Sequence, residues 1–236
     1  MKLSKETVEI LKNFATINNS LVLKKGKTQR TIAPQATILA EASIVEELPV
    51  ECAIYNLNQL LGVLSIQGDA DIGFGEKSMA IRTGESIVTY FYSANIVKAA
   101  PEKRIVLAPE TVTAEFMLKS DDIQQAIKAA SVLGLPEIVL LGRDGRAFIG
   151  ACDSRAKSSN GFELAVGKAS ANYRMLFRLE NIKVMPRNYN VQLSSKGIAY
   201  FQSEAKDLSY WIPTEVMGAS VAATTTREAS SVPATV

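Results

Sequence analysis

The sequence predicts an α+β protein made of two similar domains, in which antiparallel strands follow amphipathic helices. Two observations lead to this fold class. A serine followed by an acidic residue within two positions opens a helical pattern at Ser4 and again at Ser120. The strand-rich stretch that begins at Asp71 has a counterpart that begins at Tyr189, and Tyr90-Phe91 aligns with Tyr210-Trp211. An order of elements that occurs twice indicates duplication of one module.

The first predicted helix runs from Ser4 to about Asn18. Ser4 is a suitable N-cap, and acidic residues follow it where the helix dipole favours negative charge. At 100° per residue, the apolar side chains gather on one face. This face comprises Leu3, Thr7, Ile10, Leu11, Phe14 and Ile17. Lys5 and Lys12 fall on the opposite face, which is therefore expected to be exposed.

The second predicted helix runs from Asp121 to about Leu133, with Ser120 as its expected cap. Lys128 lies on its polar face. The opposite face comprises Ile123, Ala126, Ile127, Ala130 and Leu133. Strand signals follow both helices, and Asp144-Gly145 between two apolar runs predicts a hairpin.

Each half then contains a short helix-like segment before its last strands. These segments are Tyr55–Leu61 and Phe177–Lys183. The predicted domains span residues 1–97 and 111–213, joined by a proline-containing, charged connector at residues 98–110. Residues 214–236 are rich in Ala, Thr, Ser and Val, and this composition predicts a flexible C-terminal tail.

Composition excludes several classes of function. The 236-residue chain has a formal charge of +2 and no histidine, which removes the commonest acid–base catalyst and most zinc sites. Cys52 and Cys152 have no metal-ligand spacing and are expected to be reduced core thiols. No apolar run reaches the roughly 20 residues that a membrane span needs. We therefore expect no cofactor, no metal site and no membrane segment. An enzyme built on carboxylates and lysines is left open, but no cluster in the sequence predicts a catalytic residue.

Two lysine-bearing helices at matching places favour contacts with a phosphate backbone, since Lys and Arg contact phosphates without reading base sequence. An ordinary solvated helix face remains the alternative for these lysines. A denser basic run is expected to form a solvated turn or to protect an edge strand, with DNA contact as a further interpretation. This run comprises Lys24, Lys25, Lys27 and Arg30.

The stretches MKLSKETVEILKNFATINNS, AIYNLNQLLGVLS and MPRNYNVQL closely resemble the sliding clamps of T-even-type tailed phages, the DNA polymerase processivity factors. The resemblance implies a duplicated DNA-clamp fold, with antiparallel sheets outside and two helices from each domain facing a central pore. It also implies a homotrimeric ring that encircles duplex DNA and tethers the replicative polymerase during viral DNA replication. Further implied partners are an ATP-dependent clamp loader and late-transcription factors, in the cytoplasm of the infected bacterial host.

The resemblance also assigns site residues. The pore face that contacts DNA would carry Lys5, Lys12 and Lys128, with Lys2, Lys119, Arg178 and Lys183 near helix ends. No motif of the family fixes the pocket for partner peptides, and we expect it among Ile105, Val106, Leu107, Trp211, Ile212 and Pro213. Core packing is the alternative role for Trp211. Two rivals remain: a stand-alone DNA-binding protein that binds without sequence preference and does not encircle DNA, and an enzyme that uses carboxylates.

Overall fold

A computed structural model describes residues 1–93, 97, 99–156 and 158–215 of the chain. These residues form three α-helices and fifteen strands, so the predicted α+β class is confirmed. The first half contains α1 (Lys5–Ile17), β1 (Leu21–Leu23), β2 (Gly26–Ile32), β3 (Leu39–Leu48), β4 (Cys52–Ile54), α2 (Leu57–Gln67), β5 (Asp71–Phe74), β6 (Ser78–Thr83) and β7 (Ser86–Phe91).

The second half begins after a single 3-10 turn, Pro109–Thr111. It contains β8 (Val112–Leu118), α3 (Ser120–Leu133), β9 (Glu137–Arg143), β10 (Arg146–Cys152), β11 (Phe162–Lys168), β12 (Tyr173–Arg178), β13 (Tyr189–Ser194), β14 (Ile198–Ser203) and β15 (Leu208–Pro213). The predicted tail lies outside the described residues beyond position 215.

The two halves repeat one order of strands. In the second half, β11, β10, β9 and β12 form an antiparallel sheet in that order. Their counterparts in the first half are β3, β2, β1 and β4, where β2 pairs with β3 and β1 pairs with β4. Each half ends in a three-strand meander, β5-β6-β7 or β13-β14-β15. The duplication read from the sequence therefore extends to the pairing of the strands.

One sheet crosses from the first half to the second. Its order is β2-β3-β15-β14-β13-β8, and the crossing is the antiparallel pair of β3 and β15. In this pair Tyr210 lies opposite Ala40, and Trp211 lies opposite Leu39. Because successive side chains of a strand point to opposite faces, Tyr210 and Trp211 define two sides of the molecule. We call the side of Tyr210 inward and the side of Trp211 outward.

Helix α1 packs on the inward side and reaches across the joint. The Tyr210 hydroxyl donates to Asn13 Oδ1 at 2.8 Å, and Asn13 Nδ2 donates to the Lys183 carbonyl at 2.8 Å. Lys183 Nζ donates to the carbonyl of Thr16, near the C-terminal end of α1, at 2.7 Å. These bonds stabilise the joint in the helix layer as well as in the sheet.

Arg187 adds an ionic contact at this joint. Its guanidinium lies 3.0 Å from a carboxylate oxygen of Glu6, in the first turn of α1, and also donates to Asp207 just before β15. Burial lowers the pKa of Arg187, but hydrogen bonds to Asp207 and Glu6 outweigh this effect and raise its pKa. The guanidinium is therefore held in its charged form between two carboxylates from different halves.

The strand ladders define which positions of the two halves correspond. Val88 lies opposite Ile81 in the first meander, as Tyr210 lies opposite Phe201 in the second. Tyr210 therefore corresponds to Val88, and the alignment of Tyr210 with Tyr90 was wrong. The difference arises because the turn at 204–207 is longer than the turn at 84–85.

The first sheet positions correspond in the same way. Gln29 is the fourth residue of β2, and Ile149 is the fourth residue of β10. Gln29 lies opposite Ala42 on β3, and Ile149 lies opposite Leu164 on β11. Counting one residue back along β3 and β11 makes Glu163 the counterpart of Glu41.

A buried glutamine separates β1 from β2. Gln29 Oε1 accepts from the Lys24 N–H at 2.8 Å, and Gln29 Nε2 donates to the Lys24 carbonyl at 2.9 Å and the Gly26 carbonyl at 3.3 Å. The side chain takes over hydrogen bonds that a strand partner would otherwise make. In the second half, β9 and β10 instead pair without interruption from Arg146 to Cys152.

Two helical details predicted from the sequence are wrong. In the segment 177–183, the first two residues end β12, and only Leu179–Asn181 form a single 3-10 turn. Ser120 is the first residue of α3, and Lys119 occupies the N-cap position without a side-chain bond. The Ser120 N–H is satisfied by Asn188 Oδ1 at 3.0 Å, a distant residue that local sequence does not reveal.

The two cysteines are free thiols. Cys52 is buried, and burial raises its pKa to about 12, whereas Cys152 is half-buried. The prediction of a core position is therefore confirmed for Cys52. Its thiol is unreactive because it is buried and stays protonated.

Candidate nucleic-acid interface and partner surface

Helix α1 presents a charged face opposite its buried stripe. Ser4 caps it as predicted, accepting from the Thr7 N–H at 3.2 Å. Lys5 and Lys12 are exposed, and Lys12 Nζ lies 2.7 Å from a carboxylate oxygen of Glu9. Lys5 forms no ion pair within the part of the chain that the structure describes. Of the two predicted contacts on α1, Lys5 is thus the freer charge.

Helix α3 presents the counterpart face. Lys128 is exposed at its middle and Lys119 at its start, and neither is ion-paired with any described residue. The buried stripe is narrower than predicted, because Leu133 is 38% exposed and Ile127 is only half-buried. Val132, which lies outside the predicted stripe, is 77% exposed. The exposed face of α3 therefore combines one central cation with an apolar end.

Helix α2 carries no charge on its exposed face. It extends further than the predicted segment 55–61, and Asn56 caps it by accepting from the Gln59 N–H at 2.9 Å. The exposed positions include Asn58, Gln59, Gly62, Ser65 and Ile66. Ile66 is 85% exposed. The helix layer thus presents exposed lysines on α1 and α3 and a neutral surface on α2.

The remaining predicted cations are held by neighbours. Lys2 is ion-paired with Asp69, and this hydrogen bond raises the pKa of its ammonium group. Arg178 Nε donates to Glu215 at 2.8 Å, and Lys183 is bonded to the end of α1. Arg178 and Lys183 lie at the joint between the halves, where they contribute to structure before any ligand is present.

The outward side carries the connector. Trp211 Nε1 donates to the carbonyl of Ile105 at 2.9 Å, and the Trp211 side chain is only 2% exposed. Val106 is 79% exposed and Ile105 40%, so the connector turns apolar side chains toward solvent directly above the shared sheet. Ile212 is fully buried on the inward side, whereas Leu107 is half-buried and Pro213 is exposed. The structure thus brings Ile105 and Trp211 together but separates Ile212 from them.

Sequence reasoning missed the ion pair that flanks this surface. Arg30 Nε donates to Glu41 Oε2 at 2.6 Å, and Arg30 also donates to the carbonyls of Pro101 and Glu102 in the connector. The sequence alone predicts that Arg30 belongs to a solvated basic run. A cross-strand pairing of Arg30 with Glu41 was available from the alternation of β2 and β3, but the connector contacts had no local signal.

Comparison with protein families decides the identity of the fold. The model described as "DNA polymerase processivity factor" matches residues 4–102, and the model described as "gp45 sliding clamp, C terminal" matches residues 115–216. The chain belongs to the phage sliding-clamp family. The sliding clamp of Vibrio phage KVP40 is 34% identical over 92% of this chain and 100% of its own length. The sliding clamp of Escherichia phage RB69 is 32% identical over 91% of this chain and 97% of its own length.

Solved clamp structures share the fold. A. fulgidus PCNA, crystallised with the C-terminal region of FEN-1, superimposes with a TM-score of 0.68 at 10% identity. The superposition covers 92% of this chain and all of that one. The duplicated clamp fold and the function of a DNA sliding clamp, a processivity factor that tethers the replicative polymerase, are therefore confirmed.

The described residues contain no cluster of metal ligands and no long apolar helix. Among the described residues, no three His, Cys, Asp or Glu side chains gather closely enough to bind a metal ion. No described helix has the length and apolarity needed to cross a membrane. The sliding-clamp family is a scaffold without catalytic activity.

Proposed function

We propose that three copies of the chain close head to tail into a ring around duplex DNA, joined by β7 of one subunit and β11 of the next. The observation that carries the proposal is the internal joint of β15 with β3. The counterparts of these two strands are β7 and β11, and each lies at the open edge of its sheet in the described part of the chain. Pairing them between copies would repeat the internal joint and leave no such edge exposed.

The apolar character of both edges supports this joint. Ile87 is 60% and Phe91 is 70% exposed on β7. On β11, Phe162, Leu164 and Val166 are half-buried against the core of their own half. Exposed apolar side chains on an edge strand favour pairing with another chain. Because β7 meets a different strand rather than itself, the contact is heterologous and generates a ring when it closes.

The internal joint also predicts the register between subunits. Ser209 lies opposite Glu41. By the correspondence of the ladders, Ile87 takes the place of Ser209, and Glu163 takes the place of Glu41. Ile87 of one subunit would then lie opposite Glu163 of the next, and Val88 opposite Phe162.

The inward helix faces would surround the DNA. Lys5, Lys12 and Lys128 would contact phosphates, with Lys2 and Lys119 at the starts of helices. Arg178 and Lys183 would contribute less, because their donors are already engaged. Few phosphate contacts suffice when the ring itself retains the DNA, and their weakness allows fast movement along it. This arrangement accounts for a formal charge of only +2.

The replicative polymerase would dock on the outward side, where the connector presents Ile105, Val106 and Leu107 beside Pro213. Trp211 would support this site from below, whereas Ile212 would act only in the core. An ATP-dependent clamp loader would open a subunit joint, and late-transcription factors would use the same outward site. These events would take place in the cytoplasm of the infected bacterial host.

Light scattering across a range of concentrations tests the ring first. A trimer that dissociates on dilution is expected, whereas a monomer at all concentrations would favour a stand-alone DNA-binding protein. An Ile87→Cys, Glu163→Cys variant should form covalent trimers on oxidation, since opposite positions of paired strands lie within disulfide reach. The Phe91→Cys, Glu163→Cys variant, displaced along the strand, serves as control.

Loading on DNA tests the encircling mechanism. With the phage loader and ATP present, the clamp should stay on closed circular DNA and leave linear DNA through its ends. Equal loss from both substrates would contradict encirclement, even if the trimer forms.

A further inference from the structure

Hydrogen bonds and an ion pair hold the connector on the outward side of the shared sheet at several successive residues. Arg30 on β2 holds Glu41 on β3 and donates to the carbonyls of Pro101, at 3.3 Å, and Glu102. The side chains of Arg30 and Glu41 are only 19% and 15% exposed. Partial burial limits screening by solvent, so this contact is stronger than an ordinary surface ion pair.

Two further contacts continue the fastening toward the apolar part of the connector. Arg104 Nε lies 3.6 Å from the other carboxylate oxygen of Glu41. Trp211 Nε1 bonds to the Ile105 carbonyl at 2.9 Å. We call Arg30, Glu41, Arg104 and Trp211 the connector pin. The pin ends where the exposed side chains of the proposed docking site begin.

The clamp fold itself does not require the pin. At the corresponding joint proposed between subunits, Glu163 and Gly150 of the second half take the places of Glu41 and Arg30, and Thr89 on β7 of the first half takes the place of Trp211. A side chain at Gly150 would lie 2.5 Å from the Phe162 carbonyl, so no cation can occupy that position. Glu163 is instead paired with Arg143, at 2.8 Å. The pin therefore occurs at the joint that the connector crosses and is missing from its counterpart.

We propose that Arg30 and Glu41 are positioning residues for polymerase docking, because they fix the path of the connector before the partner arrives. This inference rests on the proposed docking site at Ile105–Leu107. The main-chain contacts of Arg30 hold residues 101 and 102, and the exposed side chains of Ile105 and Val106 follow within a few residues. A surface already held in its binding form avoids the entropy cost of ordering a loop on association. The hydrogen bonds of Arg30 go to Glu41 and to main-chain carbonyls of the connector, not to the side chains that the partner would cover.

The test uses Arg30→Gln and Arg30→Lys in the full-length clamp. Trp211 is the only tryptophan, so its emission reports directly on the fastening of Ile105. Both variants should shift this emission to the red and speed tryptic cleavage after Lys103 and Arg104. Lysine should not rescue the effect, since one ammonium cannot replace a guanidinium that bonds a carboxylate and two carbonyls. Binding of the cognate replicative polymerase should weaken about tenfold.

Lys24→Gln is the matched control. Lys24 contacts the Glu102 side chain at 3.1 Å from a more exposed position, and that carboxylate is 81% exposed. Removing its charge leaves Arg30 and both connector carbonyls untouched, so the emission and polymerase binding should stay as in the wild type. Thermal unfolding and trimer mass are measured for every variant, so that a general loss of structure is recognised.

The Val106→Asp variant tests the docking site separately from the positioning role of Arg30 and Glu41. If Val106→Asp weakens polymerase binding and the Arg30 variants do not, the docking site stands and the positioning role is overturned. If Val106→Asp also binds like the wild type, the docking site itself is wrong and the inference falls with it. Weakened binding in the Arg30 variants, with an intact trimer and a red-shifted Trp211, supports the positioning role.

Discussion

Strands β7 and β15 hold the same place in the two halves of one chain, yet their surroundings differ. Every residue of β15 except Pro213 is buried, because β3 lies alongside it. In β7 no residue is fully buried, and β6 is its one strand partner among the described residues. Strand β11 shows the same exposure where its counterpart β3 is covered. The chain thus contains one completed joint and the two separate sides of another.

The contrast between the completed and the incomplete joint indicates how copies of the duplicated chain would assemble. The completed joint shows which strands meet and in what register. The incomplete one shows apolar side chains that the single chain does not cover. An assembly that repeats the first joint would make the two halves equivalent in burial as well as in strand order.

The largest expected effect comes from a charge at the incomplete joint. Ile87→Glu would place a carboxylate opposite Glu163 of the neighbouring subunit, and like charges at opposite strand positions destabilise the pair by up to about 1 kcal/mol. Because the change acts at every joint of the proposed ring, the concentration needed for trimer formation should rise by up to about tenfold. Light scattering measures this concentration.

Ile87→Lys is the matched control, since it introduces an opposite charge at the same exposed site. It should retain the trimer better than Ile87→Glu. Equal weakening by both substitutions would show that the register taken from the internal joint is wrong, while unchanged assembly in both would remove β7 from the interface.

A second test concerns the interrupted sheet of the first half. Gln29→Ala would leave the N–H and carbonyl of Lys24 and the carbonyl of Gly26 without their side-chain partner. Buried polar groups that lose a partner are costly, and we expect a loss of about 2–3 kcal/mol in the free energy of unfolding. Urea denaturation followed by circular dichroism measures it.

Gln192→Ala removes a glutamine of similar size from β13 and serves as the comparison. Its side chain makes one exposed contact with Glu115 at 3.2 Å, so the expected loss is below about 0.5 kcal/mol. If both variants lose the same stability, Gln29 does not stand in for strand pairing, and the contrast between the two sheets has another cause.

A third test compares the starts of the two equivalent helices. Ser4→Ala removes the side chain that caps α1 and should cost about 1 kcal/mol of unfolding free energy. Ser120→Ala should cost little, because α3 is capped from outside by Asn188. Chemical denaturation of both variants checks the difference, and equal losses would restore Ser120 as a cap.

These helix starts show where sequence reasoning succeeds and where it stops. The stripe that buries Ile10 and Phe14, the Ser4 cap and the Asp144-Gly145 hairpin depend on residues close in the chain, and each is recovered from local pattern. The cap of α3 by Asn188 and the hold of Arg30 on Pro101 depend on residues that only the folded chain brings together. Local pattern carries no information about such contacts.

The candidate site divides in the same way. Helical periodicity alone predicts that Lys5, Lys12 and Lys128 are exposed, and the structure agrees. Periodicity does not predict which of these lysines already has a partner. The Glu9–Lys12 spacing suits an ion pair on one helix, but whether it forms depends on side-chain placement.

The smallest expected effect addresses this difference between the helix faces. In α1, Lys12 is paired with Glu9 at 2.7 Å, whereas Lys128 in α3 is not paired with any described residue. A phosphate must therefore compete with Glu9 for Lys12, and an exposed pair of this kind contributes about 0.3–0.5 kcal/mol. Glu9→Gln should free Lys12 and slow diffusion of the loaded clamp along DNA by about two- to threefold, as followed for single molecules.

Two controls, a salt titration and a variant with the same change in net charge, show whether the slower diffusion comes from Lys12. The slowing should shrink as ionic strength rises, because added salt screens exposed charges. Glu47→Gln alters the net charge equally at an exposed position of β3, away from the helix layer, and should slide like the wild type. If the two variants diffuse alike, the change reflects total charge alone, and Lys12 has no direct phosphate contact. If only Glu9→Gln diffuses more slowly, Glu9 weakens the contact of Lys12 with phosphates. Fast sliding then follows because Lys12, on the inward face of α1, is already paired with a carboxylate of the clamp.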